Sequence, residues 1–113
     1  FRERRLTVDG IFATVAAYLL VALLFAQVYV LMLTWNPDSF ALPVPAAERP
    51  PHLLQSAMTY FSLVTLATVG YGDILPVTET ARMTAMIEAV VGQFYVAVIV
   101  AVFVGMYATR HRD

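Results

Sequence analysis

Residues 68 to 73 read Thr68-Val69-Gly70-Tyr71-Gly72-Asp73, with two glycines alternating with larger residues. For successive carbonyls to point the same way, a backbone must alternate between right-handed and left-handed conformations, and glycine takes positive φ without the steric cost of a Cβ. Gly70 and Gly72 supply those positions. Stacked carbonyl oxygens can replace the hydration shell of a cation. A bare Gly-x-Gly is an ordinary turn, but this run lies between two apolar stretches that are each long enough to cross a bilayer. Irregular backbone at membrane depth is tolerated only where it is enclosed by protein or lines a water-filled cavity. A loop of this kind held inside a membrane suggests a pore.

The elements that must position the loop follow from composition. The chain has 113 residues, enough for one domain; 60% are hydrophobic and 13% charged. Its mean hydropathy is +0.73. That balance does not fit a soluble domain of this size, which needs a more polar surface. The charges cluster: Arg2, Glu3, Arg4, Arg5 and Asp9 open the chain, and Arg110, His111, Arg112 and Asp113 close it. From Ile11 to Trp35 the run extends about 37 Å as a helix, longer than a hydrocarbon core of about 30 Å, so it spans with tilt. It is too long for the apolar core of a signal peptide and shows no small-residue cleavage site. Trp35 suits the aromatic belt, and Tyr18 is an interfacial or packing aromatic. The second run, Met86 to Ala108, is interrupted by Glu88 and Gln93. Thr78, Glu79 and Thr80 precede it, with hydroxyls to cap free N–H groups and a carboxylate for the positive end of the helix dipole. A helix from about 79 to 109 is expected.

Both ends carry arginines, whereas Asn36 to Thr80 holds Arg49 as its one strongly basic residue. The positive-inside rule therefore puts both termini in the cytoplasm and the central segment outside. Residues 36–50, with Pro37, Pro43 and Pro45 among Asn36, Asp38 and Ser39, read as an external loop. Pro50-Pro51 suits a helix start, and residues 51–66 form a helix of about 24 Å, too short to span and so re-entrant. The chain has no cysteine and no lysine, which removes disulfides, thiolate metal sites and lysine nucleophiles. No nucleophile, base and orienting group occur together, so an enzyme is not expected. No basic face points to nucleic acid.

Two spans, a short re-entrant helix and the six-residue loop, together covering nearly the whole chain, resemble the two-helix pore module of the tetrameric potassium channel family, of the prokaryotic type. The resemblance implies an all-α membrane fold of outer helix, turret, pore helix, filter loop and inner helix, a single pore domain over 1–113. One chain has one loop, and a ring of carbonyls needs about four, hence a fourfold homotetramer. The carbonyls of Thr68, Val69, Gly70 and Tyr71, with the Thr68 hydroxyl at the inner mouth and Gly72 completing the motif, would cage dehydrated K⁺. Val69 and Tyr71 would point away from the axis. Tyr71 would enter an aromatic cuff, with Tyr60 and Phe61 upstream to receive it. Asp73 matches the mouth carboxylate that tethers the loop to a pore-helix donor, and Tyr60 can donate. Val64 stands where some members carry a buried carboxylate, and Thr65 is a further support. Ala67 replaces the first threonine of the commoner Thr-Thr-Val-Gly-Tyr-Gly form, which removes a ring of hydroxyls from the cavity end. The negative end of the pore-helix dipole favours a cation at the axis.

Gating candidates are fewer. Gly92, at the spacing of the family's inner-helix hinge, is either a hinge or a close-packing position, and Gly105 is expected to pack. Glu88 is the carboxylate inside a span; a hydrogen-bonding role toward Ser62 or Thr65 is preferred over ion ligation, and its titration could make gating pH-sensitive. Val100, Val104 and Ala108 recur every fourth residue and are candidates for a hydrophobic constriction or for a lipid-facing stripe. His52 is expected to be solvated. No helix carries arginine at every third position, so no voltage sensor of that kind is present in the sequence. A cytoplasmic regulatory domain after Asp113 is expected in the native protein. The expected function is passive K⁺-selective conduction across the plasma membrane with K⁺ as permeant ion and no organic cofactor. The alternatives are a weakly selective cation channel, the pore fragment of a larger ligand- or voltage-gated channel, or a docking protein whose loop is merely a turn.

Overall fold

The computed structural model describes residues 8–112, with side chains through Thr109. The N-terminal charges Arg2, Glu3, Arg4 and Arg5, the side chains of Arg110, His111 and Arg112, and Asp113 lie outside the described residues, so the arginine flanks used for topology gain no structural account. Three α-helices dominate: α1 over Val8–Trp35, α2 over Pro51–Leu66 and α3 over Glu79–Arg112. The fold is all-α, and α1 and α3 are both long and apolar enough to span a membrane. α1 begins three residues before the Ile11 expected from hydropathy, because Val8, Asp9 and Gly10 continue the helix outward.

The segment over 36–50, expected to be loop throughout, holds short elements. Two 3₁₀ turns, Pro37–Ser39 and Ala46–Glu48, flank a strand, β1 (Phe40–Ala41), which pairs antiparallel with β2 (Leu75–Pro76) just after the 68–73 loop. Two-residue strands carry no hydropathy period, so only the pairing itself reveals them. The Asn36 side chain accepts from the Asp38 N–H at 3.1 Å, and buried Ser39 donates to the Asn36 carbonyl at 2.7 Å. The Val77 N–H donates to the Ser39 carbonyl at 2.7 Å and extends the clamp between the 36–50 segment and the end of the 68–73 loop.

Beneath this clamp lies the core. Tyr29, Phe40 and Phe61 meet edge to face, with centroids 5.4 Å apart for Tyr29–Phe40, 5.2 Å for Tyr29–Phe61 and 5.1 Å for Phe40–Phe61. Such pairs contribute about 0.5–1.5 kcal/mol each beyond the area they bury. Leu33, Met58, Ile74, Ala81 and Ala85 close the cluster, so α1, α2, the turret and the start of α3 share one core. The α3 N-terminus is capped by the Thr78 hydroxyl, which accepts from the Ala81 N–H at 3.2 Å.

Candidate functional site

An α-helix leaves its last four carbonyls without helical partners. In α2 those are Leu63, Val64, Thr65 and Leu66; the residues that follow satisfy the first three, and α1 satisfies the last. The Ala67 N–H donates to Leu63 O (3.0 Å), Thr68 N–H to Thr65 O (3.0 Å) and Val69 N–H to Val64 O (2.9 Å). The Thr68 and Val69 bonds form a Schellman cap, in which the residue just past the helix takes the left-handed conformation. That residue is Thr68, at φ 58°. Leu66 O accepts from the Tyr18 hydroxyl of α1 at 3.2 Å.

Thr68, the first residue of the glycine-bearing loop, is thus also the cap of α2. From there the left-handed conformation recurs at alternate positions: Thr68 (φ 58°), Gly70 (φ 59°) and Gly72 (φ 85°). No other residue has positive φ among the described residues. Sequence reasoning assigned this conformation to the two glycines and missed Thr68, because a β-branched residue there is an outlier. The signal available was its place two residues after the last helical one, the capping position that glycine usually fills.

Support for the loop comes from two sides. The Tyr60 hydroxyl donates to Asp73 Oδ2 at 2.7 Å, and Asp73 Oδ1 accepts from the Ile74 N–H at 3.1 Å. The hydrogen bond from Tyr60 to Asp73 holds the tyrosine hydroxyl above its ordinary range. Tyr60 also stacks with Tyr71, rings 6.5 Å apart and 6° from parallel. Phe61, expected beside Tyr60 to receive Tyr71, is buried edge to face on Tyr29 and Phe40 and also lines the cleft behind the loop together with Tyr60, Gly70 and Gly72. Behind the loop an apolar cleft of about 200 Å³ is lined by Val64, Thr65, Ile74 and Ala85. Val69 and Tyr71 remain exposed in the single chain.

Glu88 is fully buried where all three helices meet. Its Oε1 accepts from the Tyr29 hydroxyl of α1 at 2.6 Å, and its Oε2 lies against the Ser62 hydroxyl of α2. Ser62 was foreseen as a partner; Tyr29 was not, being 59 residues away in sequence. Thr65 makes no hydrogen bond with Glu88 and lines the cleft instead.

Gly92 packs directly on the end of the pore helix. A Cβ there would fall on the Leu66 carbonyl oxygen and lie 2.9 Å from its carbon and 3.0 Å from Leu66 Cδ1. α3 runs unbroken through this point. Gly105, expected to pack, has nothing within 4 Å of a Cβ and is exposed on this chain. Val100, Val104 and Ala108 are also exposed. A second link joins the spans lower down, where Tyr95 donates to the Thr14 carbonyl at 2.6 Å and its ring leans on Tyr18 at 5.2 Å. His52 is exposed.

The arrangement, two spans around a capped half-helix and a carbonyl loop, is matched by a family described as "Ion channel", whose profile covers residues 17–109. The chain belongs to this ion channel family. Protein LctB of Bacillus caldotenax is 38% identical over 98 residues, which cover 85% of this chain and 71% of that protein. Protein LctB of Geobacillus stearothermophilus is 35% identical over 97 residues, with the same shares of 85% and 71%. The voltage-gated potassium channel Kch of Escherichia coli K12 is 59% identical over 32 residues, 26% of this chain but 8% of Kch. Membership makes this a protein of an ion channel family, and two of its helices are long and apolar enough to cross a membrane.

Proposed function

We propose that the chain is the pore-forming subunit of a K⁺-selective channel, working as a homotetramer in the plasma membrane with both termini in the cytoplasm. One observation carries the reading: left-handed backbone at Thr68, Gly70 and Gly72, with Val69 and Tyr71 between them. This alternation turns successive carbonyls to one side, where four copies would ring a dehydrated cation. K⁺ is the permeant ion, no organic cofactor takes part, and transport is passive. The short match to a potassium channel supports the choice of ion. The exposed Val69 and Tyr71 support assembly, since a loop at membrane depth needs neighbours to enclose it.

Each part of the site has a task. The cap on Thr65 and Val64 fixes the inner end of the filter, and the Tyr60–Asp73 bond with the Tyr60–Tyr71 stack fixes the outer end. Gly92 lets the inner helix approach the Leu66 carbonyl, a close-packing role in place of a hinge. Val100, Val104 and Ala108 would narrow the cytoplasmic half of the pore as an apolar ring. The test is the reversal potential of the purified protein in planar bilayers with K⁺ on one side and Na⁺ on the other. A value near the K⁺ equilibrium potential is expected; a clear current reversing near zero establishes the weakly selective alternative.

A further inference from the structure

A serine hydroxyl has one proton to give, yet Ser62 Oγ makes two close contacts with oxygen atoms. One is the Ala22 carbonyl oxygen of α1 at 2.6 Å, and the other is Glu88 Oε2. A carbonyl oxygen cannot donate, so the bond to Ala22 takes the Ser62 proton. The contact with Glu88 then needs a proton from the carboxyl side. Tyr29 already spends its proton on Glu88 Oε1 at 2.6 Å. An ionised Glu88 would leave three short oxygen contacts with two protons among them; a protonated one supplies the third.

We propose that Glu88 carries a proton on Oε2 and completes a one-directional chain of donors, from Tyr29 to Glu88 to Ser62 to the Ala22 carbonyl, that fixes the pore helix between the two spanning helices. Glu88 is then a positioning residue, acting on the filter through α2 and touching no ion. The surroundings agree with a neutral group. Tyr29 and Tyr18 are the titratable side chains of α1 near it, α2 offers the uncharged Ser62, and no cation among the described residues faces it. No buried polar side-chain atom among the described residues is left without a partner. Partial satisfaction of such a buried network would cost more than an apolar replacement.

The structural arms of the test need no ion flux, so they stand or fall apart from the selectivity reading. The sequence has four glutamates, Glu3, Glu48, Glu79 and Glu88. In the full chain in lipid vesicles, labelled with ¹³C at glutamate, solid-state NMR at neutral pH is expected to show a protonated carboxyl signal. That signal should be assigned to Glu88 through its correlation with Ala89. An ionised Glu88 carboxylate at neutral pH overturns the proposal. The second arm compares melting temperatures. Glu88→Gln, whose amide can donate to Ser62 while its carbonyl accepts from Tyr29, should melt with the wild type. Glu88→Ala should melt at least about 4 °C lower, because about 1 kcal/mol or more of hydrogen bonding is lost. Raising pH should destabilise the wild type and leave Glu88→Gln unmoved. Equal damage from Gln and Ala, or parallel pH profiles for wild type and Glu88→Gln, overturns the donor chain.

Discussion

Replacing each inner-helix glycine by alanine separates close packing from hinge bending with one chemical change made in two environments. At Gly92 the new Cβ would overlap the Leu66 carbonyl oxygen and sit 2.9 Å from its carbon, so either α3 or the end of α2 must move. Ordinary contact begins at about 3.4 Å, and overpacking of this kind costs about 1–3 kcal/mol. Alanine's better helix propensity returns about 1 kcal/mol. The net expectation is a loss of up to about 2 kcal/mol at Gly92. At Gly105 nothing lies within 4 Å of a Cβ. Propensity acts alone there, and a gain approaching about 1 kcal/mol is expected. The assay is reversible denaturation of both variants in the same detergent, with K⁺ flux measured alongside. Because α2 carries the filter on its cap, Gly92→Ala should reduce flux together with stability. A Gly92→Ala protein as stable as Gly105→Ala, with altered opening alone, would refute the packing argument and restore the hinge.

Other predictions follow from the loop and its supports. Thr68→Gly should leave stability unchanged or raise it slightly, since left-handed backbone costs a residue with a Cβ about 1–2 kcal/mol, while removing the hydroxyl from the inner mouth; the reversal potential in mixed K⁺ and Na⁺ should move toward zero. Gly70→Ala should sharply reduce K⁺ flux, because a Cβ at φ 59° adds about 1–2 kcal/mol of strain to a loop that already carries one strained Cβ at Thr68, even though space is open around it; unchanged flux and selectivity in that variant would show that the carbonyl alternation is not what conducts. Tyr18→Phe leaves the Leu66 carbonyl without its 3.2 Å partner and should cost about 0.5–1.5 kcal/mol in the same denaturation assay. For Tyr60, the bond to Asp73 raises the hydroxyl above its ordinary value near 10. The tether is therefore complete below that value and is lost as pH climbs through the raised one; in Asp73→Asn, tyrosinate absorbance should appear at lower pH than in wild type.

The fold class was legible because its signals are long and local. Two apolar runs exceed a bilayer's thickness, and Pro50-Pro51 suits a helix's first turn, where a missing N–H has no partner to lose. What could not be read depends on contacts between distant residues or on strain. The β1–β2 pair joins residues 40–41 to 75–76 and rests on two residues a side, too few for any alternation to show. Phe61 and Tyr60 look interchangeable as ring donors in the sequence, and which of them stacks on Tyr71 within the chain, Tyr60, depends on their different directions around the helix. The left-handed Thr68 is concealed for the opposite reason: residue preference argues against it, and the cap imposes it regardless.

That conflict at Thr68 explains why the pore helix and filter must be treated as one mechanical unit. The helix end would be content with glycine, which takes positive φ freely. Threonine in its place gives up conformational ease, and adds a hydroxyl that the proposed function puts at the inner mouth of the pore. The remaining contacts hold the strained turn from every other direction: Tyr18 and Gly92 on the Leu66 carbonyl, Glu88 and Ser62 one turn above, Tyr60 and Asp73 at the far end. Strain of this sort persists only where the surroundings over-determine the backbone. Loosening any of these supports should therefore disturb the alternation at Thr68 first, before the glycines, for which the same conformation costs little.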